Sequence, residues 1–162
     1  MSEEMTRRTL LGVLGAAAAT SVLAHGGPVA AQTPAPLFGL QESVQDAMKR
    51  LFGARPIKDG AALVKLEVSP IAENGAVVPV AVEVQSPMTP QNFVRHIYVI
   101  ADKNRIPVTA RVALAPEAGH AIMGTNIRLG ETTDVRAIVE QSDGTLLQVK
   151  REVKVTVGGC GG

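Results

Sequence analysis

From about residue 61 onwards, apolar side chains alternate with polar ones, and this period of two is the feature that most constrains the fold. Successive side chains of a β-strand point to opposite faces, so each alternating run predicts a strand with one buried face. The runs fall at residues 64–68, 78–84, 94–101, 108–114, 127–129, 135–139 and 149–157. About seven strands in about 100 residues predict an all-β, antiparallel sandwich of immunoglobulin-like type.

The turns and one proline agree with this reading. Glu73-Asn74-Gly75 and Ser142-Asp143-Gly144 are typical turn sequences and separate alternating runs. Pro79 lacks a backbone N–H, so it suits an edge strand or the start of a strand. The core must be aliphatic, because aromatic residues make up only 2% of the chain.

One helix is predicted before the strands. Apolar residues recur there at helical spacing, and polar residues occupy the other face. The apolar set is Leu40, Val44, Ala47, Met48, Leu51 and Phe52. Gly53 is a natural helix end, and Pro56 prevents continuation. Residues 40–157 are therefore expected to form one domain of helix plus sandwich, preceded by an extended, proline-containing segment at 32–39.

The N-terminus has the pattern of a cleavable export signal. Arg7 and Arg8 stand just before an uncharged apolar run at residues 10–24, and small residues follow at 29–31. The run is shorter than the roughly 20 residues of a membrane-spanning helix, although a retained anchor helix is the alternative. Residues 1–31 are predicted to be a twin-arginine signal peptide. We expect a soluble periplasmic protein that is exported folded.

Composition excludes several classes of function. A net charge of +1 gives no basic footprint for nucleic acid or for an acidic membrane surface. A single cysteine excludes an intramolecular disulfide and a multi-thiolate metal site. His96 and His120 lack metal-binding spacing, and no phosphate loop or nucleophile elbow is present. The sequence predicts no metal, no cofactor and no catalytic residue.

The single cysteine, Cys160, stands in the last five residues of the chain, where all its neighbours are glycine: Gly158, Gly159, Gly161 and Gly162. Glycine cannot cover the sulfur and leaves the backbone free, so residues 158–162 are predicted to form a flexible arm. Three extended residues span about 10 Å. No Arg or Lys of the tail favours the thiolate. These features indicate a thiol for covalent attachment that partner proteins activate; an incidental cysteine in a disordered tail is the alternative.

The ending, residues 153–162, is similar to the carrier arm of the SoxY family, the sulfur-carrier subunits of the bacterial thiosulfate-oxidising Sox system. The resemblance spans roughly residues 45–162 and includes the twin-arginine signal. Further matching segments are residues 71–75 with 78–80, 86–89, 101–104, 128–129 and 142–144. One departure is Arg105-Ile106, where the family pattern has a proline after the asparagine.

The resemblance implies a set of partners and a carrier role for Cys160. A SoxZ-like subunit would form a heterodimer with the chain, and a Cys160 disulfide could join two heterodimers. A c-type cytochrome, SoxAX, would couple thiosulfate to the thiol, and the dimanganese hydrolase SoxB would release sulfate. A sulfane dehydrogenase would oxidise the remaining sulfur. The intermediates on Cys160 would be an S-thiosulfonate, a persulfide and a sulfonate.

Two other classes of protein remain open from the residues alone. An exported structural or adhesive sandwich domain explains the strands and the signal, but not the position of the cysteine. A thiol–disulfide oxidoreductase would normally carry a Cys-x-x-Cys pair in a thioredoxin-like fold, and the chain has no such pair. Blocking the thiol would inactivate a carrier and leave an adhesive domain intact.

Overall fold

The computed structural model describes residues 39–159 of the 162-residue chain. The predicted signal peptide with Arg7 and Arg8, residues 32–38 of the predicted extended segment, and residues 160–162 lie outside this range. One α-helix, α1 (Val44–Phe52), precedes the strands. These are β1 (Ile57–Asp59), β2 (Val64–Val68), β3 (Ile71–Asn74), β4 (Val78–Val84), β5 (Val94–Ala101), β6 (Val108–Ala113), β7 (Ala121–Ile127), β8 (Thr133–Gln141) and β9 (Leu146–Val157). A single 3-10 turn occupies Pro116–Ala118.

The strands form two packed sheets, which confirms the predicted all-β sandwich with one helix. The larger sheet has the order β1-β9-β8-β5-β6, and β3 also pairs with β9; the smaller sheet has the order β2-β4-β7. All pairings are antiparallel except those of β1 and β3, which run parallel to β9. These two strands are only three and four residues long, so alternation could not reveal them.

The core lies between the inner faces of the two sheets. Alternate residues of β5 and β8, such as Val99 and Val139, are fully buried and face the valines of β4, such as Val82. Burial of these aliphatic side chains supplies the main stabilisation of the fold. The alternation of apolar and polar residues therefore predicted correctly which side chains face the core.

Helix α1 covers the outer face of the larger sheet. It begins at Val44 rather than at Leu40, because Ser43 caps it by accepting the N–H of Asp46 at 3.1 Å. Phe52 packs edge-on against Tyr98, with ring centroids 5.1 Å apart. The apolar face of the helix therefore packs against the larger sheet. No helix in the described range is long and apolar enough to cross a membrane.

Two sequence expectations are refined by the topology. Pro79 lies in the middle strand of the smaller sheet, but the pairing of β2 with β4 extends only to Val80. The missing N–H of Pro79 therefore lies at the start of β4, beyond the end of β2. This agrees with the predicted position at the start of a strand and not with the alternative of an edge strand. Leu129 was predicted to lie in a strand, but β7 ends at Ile127 and Leu129 is a buried loop residue.

Candidate functional site at the root of the arm

Strand β9 leads directly to the glycine-rich C-terminus. Its last residues pair with β3, and Val157 stands opposite Asn74. Gly158 and Gly159 follow and are described, whereas Cys160, Gly161 and Gly162 lie outside the described residues. The surroundings of the predicted attachment residue are therefore known up to the residue that precedes it.

Backbone hydrogen bonds hold the chain at this point. We call Gly75, Leu129, Gly130, Gly158 and Gly159 the arm root. The N–H of Gly75 donates to the Val157 carbonyl at 2.7 Å, and the N–H of Leu129 donates to the Gly75 carbonyl at 2.8 Å. The N–H of Gly159 then donates to the Leu129 carbonyl at 3.0 Å. The three bonds link the end of β9 to the turn after β3, that turn to the loop after β7, and that loop to Gly159.

Three of the four glycines of the arm root are required by close approach of the backbones. A Cβ at Gly159 would lie 2.6 Å from the Ala76 nitrogen, and a Cβ at Gly75 would lie 2.8 Å from the Gly159 nitrogen. A Cβ at Gly158 would overlap the Gly130 carbonyl oxygen. None of these three glycines has the positive φ that otherwise favours glycine. Their lack of a side chain therefore serves packing.

The packing of Gly158 and Gly159 differs from the free arm that the sequence predicts from residue 158 onwards. Gly159 is buried, whereas Gly158 is exposed but touches Gly130. Glycine is compatible both with a free tether and with tight backbone contact, and composition alone does not separate them. Flexibility of residues 160–162 stays a prediction.

A buried asparagine fixes the loop that receives the arm. Asn104 is only 7% exposed; its Nδ2 donates to the Arg128 carbonyl at 2.7 Å, and its Oδ1 accepts the N–H of Gly130 at 3.3 Å. These two bonds bracket Leu129, whose side chain is fully buried in the core. The carbonyl that binds Gly159 is thus fixed on both sides.

The turn that carries Asn104 is itself anchored to β8. Asp102 accepts two bonds from the guanidinium of Arg136, each 2.5 Å long, and the N–H of Lys103 donates to the Thr133 hydroxyl at 3.0 Å. The hydrogen bond to Asp102 raises the pKa of Arg136 and so keeps this paired group charged. A charge-assisted pair therefore holds the turn in place.

The described residues contain a second polar network, on the outer face of the larger sheet. Arg111 donates to Nε2 of His96, and Nδ1 of His96 donates to Glu140 at 2.9 Å. Glu140 also binds Arg55 at 2.7 Å, beside the end of α1. Burial opposes ionisation of Glu140, but hydrogen bonds from Arg55 and His96 outweigh it and lower its pKa. We assign this network to stability of the helix–sheet junction.

No other described feature suggests catalysis. Residues 39–159 contain no group of three His, Cys, Asp or Glu that could hold a metal ion. A wide groove of about 1230 Å³ runs along β2, β4 and β9, but Lys65, Glu67, Lys150 and Glu152 line it with alternating charge. No residue of the arm root lines this groove.

Comparison with known proteins supplies the family. The family described as "Sulfur oxidation protein SoxY" matches residues 48–160, more than half of the chain. The chain belongs to the SoxY family. A solved structure of the sulfur carrier protein SoxY from Chlorobium limicola f thiosulfatophilum has 30% identity and a TM-score of 0.59. The match covers 71% of this chain and 97% of that one.

Other solved structures share the fold alone. A superoxide reductase (neelaredoxin) from Ignicoccus hospitalis has 19% identity and a TM-score of 0.52, covering 57% of this chain and 80% of that one. A hypothetical protein from Pyrococcus horikoshii OT3 has 14% identity and a TM-score of 0.50, covering 60% and 96%. No curated protein sequence matches the chain.

Three of the sequence segments that resemble the SoxY family meet at the arm root. Residues 71–75 supply Gly75, residues 101–104 supply Asn104, and residues 128–129 supply the Leu129 backbone. Sequence reasoning did not single out these residues for function, because an asparagine and a glycine in turns are expected for backbone reasons alone. The sequence signal for these residues is that each lies in a segment that resembles the SoxY family.

Proposed function

We propose that this protein is a covalent carrier of sulfur in periplasmic thiosulfate oxidation and that its intermediates are bound to the thiol of Cys160. Membership of the SoxY family supports a carrier role in sulfur oxidation. The observation that carries the assignment to Cys160 is that the family match ends at this residue, the single cysteine of the chain. The twin-arginine pattern at Arg7 and Arg8 supports export to the periplasm.

Loading of the carrier requires an oxidation. The Cys160 thiol and thiosulfate join through a new sulfur–sulfur bond, which gives an S-thiosulfonate, releases one proton and passes two electrons to an acceptor. A SoxAX-type c-type cytochrome is the proposed acceptor. In this proposal the chain supplies the thiol and the partner supplies the redox centre.

Unloading proceeds by hydrolysis and further oxidation. Water attacks the terminal sulfonate group of the S-thiosulfonate, so that sulfate leaves and the persulfide stays on Cys160; a SoxB-type hydrolase is proposed for this step. A sulfane dehydrogenase then oxidises the outer sulfur to the S-sulfonate: three water molecules supply the oxygen atoms, seven protons are released, and six electrons pass to an electron acceptor of the c-type cytochrome class. A second hydrolysis regenerates the thiol. We therefore propose that the protein is a carrier subunit and not an enzyme.

A SoxZ-like subunit is the proposed permanent partner. A chain with an export signal can take a folded partner through the twin-arginine pathway, which moves folded proteins. Helix α1 and an exposed strand edge are the surfaces that we propose for this contact. Co-purification of a second subunit with the exported protein would support the heterodimer, and a single exported species would contradict it.

The deciding experiment is mass spectrometry of the exported protein, purified without reductant from cells supplied with thiosulfate. We expect adducts of thiosulfonate, persulfide or sulfonate on the peptide that contains Cys160. The matched control is Cys160→Ser, which should fold normally, carry no adduct and abolish thiosulfate-dependent turnover. An unmodified thiol during active thiosulfate oxidation would overturn the carrier role and favour an exported structural or adhesive sandwich domain.

A further inference from the structure

We propose that the arm root is a positioning site for the carrier thiol: it holds the chain at Gly159, the residue directly before Cys160. Gly75 and Asn104 are the positioning residues. The inference rests on the proposed carrier function for its purpose, but the docking of Gly159 can be tested without any sulfur chemistry.

The first argument is the connection of Gly159 to the core. Its N–H binds the carbonyl of Leu129, and the Leu129 side chain is 0% exposed. Asn104 binds the residues on either side of Leu129, so the acceptor cannot shift without breaking buried contacts. The restraint on Gly159 therefore comes from the rigid sandwich and not from a mobile loop.

The second argument is the shape of the contact. The turn after β3 is set by Asn74, whose Oδ1 accepts the N–H of Ala76 at 2.8 Å. This turn places the backbone of Gly75 and Ala76 close both to Gly159 and to the Leu129 carbonyl that binds Gly159. Gly159 has no room for a Cβ because of Gly75 and Ala76, and Gly75 has none because of the Leu129 carbonyl oxygen and the Gly159 nitrogen. A tether that only needed freedom of motion would not require a glycine in a distant turn, 84 positions before it in sequence. The complementarity of Gly75 and Gly159 indicates a built contact.

Docking at Gly159 determines the reach of the thiol. If the chain were free after Val157, three residues would extend the Cys160 backbone by about 10 Å. If Gly159 is held, the Cys160 Cα lies one residue step, about 3.8 Å, from a fixed point. A partner enzyme must then approach closely enough to contact the loops that form the arm root. Val77 and Val157, which flank Ala76 and Gly158 and are 59% and 61% exposed, are the apolar side chains that such a partner would meet.

The test measures the exchange of individual backbone amides in the full exported protein by heteronuclear NMR. We expect the Gly159 amide to be protected on the order of 100-fold relative to an unstructured glycine. Gly75→Ala should reduce this protection by about tenfold or more, because the added Cβ collides with the Leu129 carbonyl oxygen, which accepts the Gly159 N–H, and would lie 2.8 Å from the Gly159 nitrogen. The matched control is Gly124→Ala, where a Cβ would meet nothing within 4 Å and where φ is not positive.

The motion of a nitroxide attached to Cys160 tests positioning directly. If Gly75 had a purely structural role, this motion would be the same in the parent protein and in a folded Gly75 variant. Its motion should be restricted in the parent protein and in Gly124→Ala, and faster in Gly75→Ala. Amides of the core strands, such as those of Val99 and Val139, report whether each variant is folded. If Gly75→Ala does not fold, Asn104→Ala is the second variant to test. Loss of the Asn104 side chain loosens Leu129 without adding bulk, so the same increase in nitroxide motion is expected.

Two results would overturn the proposal: an unprotected Gly159 amide in the parent protein, or equal nitroxide motion in the parent and in a folded variant of Gly75 or Asn104. Neither result bears on whether Cys160 carries sulfur. Conversely, a protected Gly159 together with an unmodified Cys160 during thiosulfate oxidation would overturn the carrier function and leave the docked arm in place. The two proposals therefore fail separately.

Discussion

The backbone N–H of Gly159 donates to the carbonyl of Leu129 at 3.0 Å, and this bond joins the residue before Cys160 to the loop after β7. Leu129 is fully buried in the core, so the bond connects the residue before the proposed attachment site to the core of the sandwich. Gly75 completes the contact from the turn after β3. Three segments that are distant in sequence thus converge on the terminus of the chain.

We predict that Asn104→Ala lowers the free energy of unfolding by about 1–2 kcal/mol, because the Arg128 carbonyl and the Gly130 N–H both lose a buried partner. Denaturant titration followed by circular dichroism measures the change. Asn126→Ala is the control, since Asn126 is exposed and the change should stay within about 0.5 kcal/mol. Equal stability of the two variants would contradict the role given to Asn104.

Substitution on either side of the cysteine should have different effects. Gly161→Val adds bulk beside the thiol, so it should slow transfer to at least one partner enzyme and leave protection of the Gly159 amide unchanged. Gly159→Val should also remove that protection, because its side chain collides with Gly75 and Ala76. Transfer rates with purified partners, together with amide exchange, distinguish the two variants. Unchanged rates for Gly161→Val would show that this glycine is passive.

We predict that Glu140→Gln reduces stability most at neutral pH. The pKa of Glu140 is lowered in the folded protein from its ordinary value of 4.5, so the ionised form stabilises the fold. This contribution is complete above that ordinary value and is lost as the pH falls through the lower, folded pKa. Unfolding curves of the parent and the variant should therefore converge on acidification. Glu117→Gln, at an exposed position, should show no such convergence, and a constant gap for Glu140→Gln would refute the prediction.

Replacement of both signal arginines by lysine, Arg7→Lys with Arg8→Lys, should leave an uncleaved precursor in the cytoplasm. The reason is that the twin-arginine pair, and not its charge alone, is the signal that directs export. Cell fractionation with immunodetection measures the distribution. The control Arg128→Lys makes the same chemical change at an exposed position of the body and should be exported normally. Normal export of the double lysine variant would argue against this pathway.

The sequence predicted the parts of the fold that follow from local periodicity. Strands β4 and β5 were recognised because long alternating or apolar runs leave little choice of structure. Strands β1 and β3 were missed because they are short and exist through parallel pairing with β9, which no local pattern reports. Leu129 was wrongly assigned to a strand because an apolar residue two positions after Ile127 continues the alternating pattern. Its side chain is buried, but it anchors the loop after β7 to the core.

The sequence singled out the candidate cysteine but not the geometry around it. Cys160 stood out because it is the single cysteine and lies among glycines. The contact between Gly75 and Gly159 was out of reach, since it arises only when β3 pairs with the end of β9. Sequence alone does not distinguish a glycine that is needed for close backbone contact from one that is needed for backbone flexibility. Only the three-dimensional structure distinguishes the two roles.

Strand β9 also determines how the carrier responds to mechanical load. Near its end, the N–H of Lys154 donates to the Pro70 carbonyl at 2.9 Å on one edge, and the N–H of Val155 donates to the Thr132 hydroxyl at 3.0 Å on the other. A partner that pulls on the terminus therefore loads hydrogen bonds on both edges in shear, along the strand, rather than unzipping them one by one. A pull along the chain would thus be shared by the strands that pair with β9, which are β1, β3 and β8.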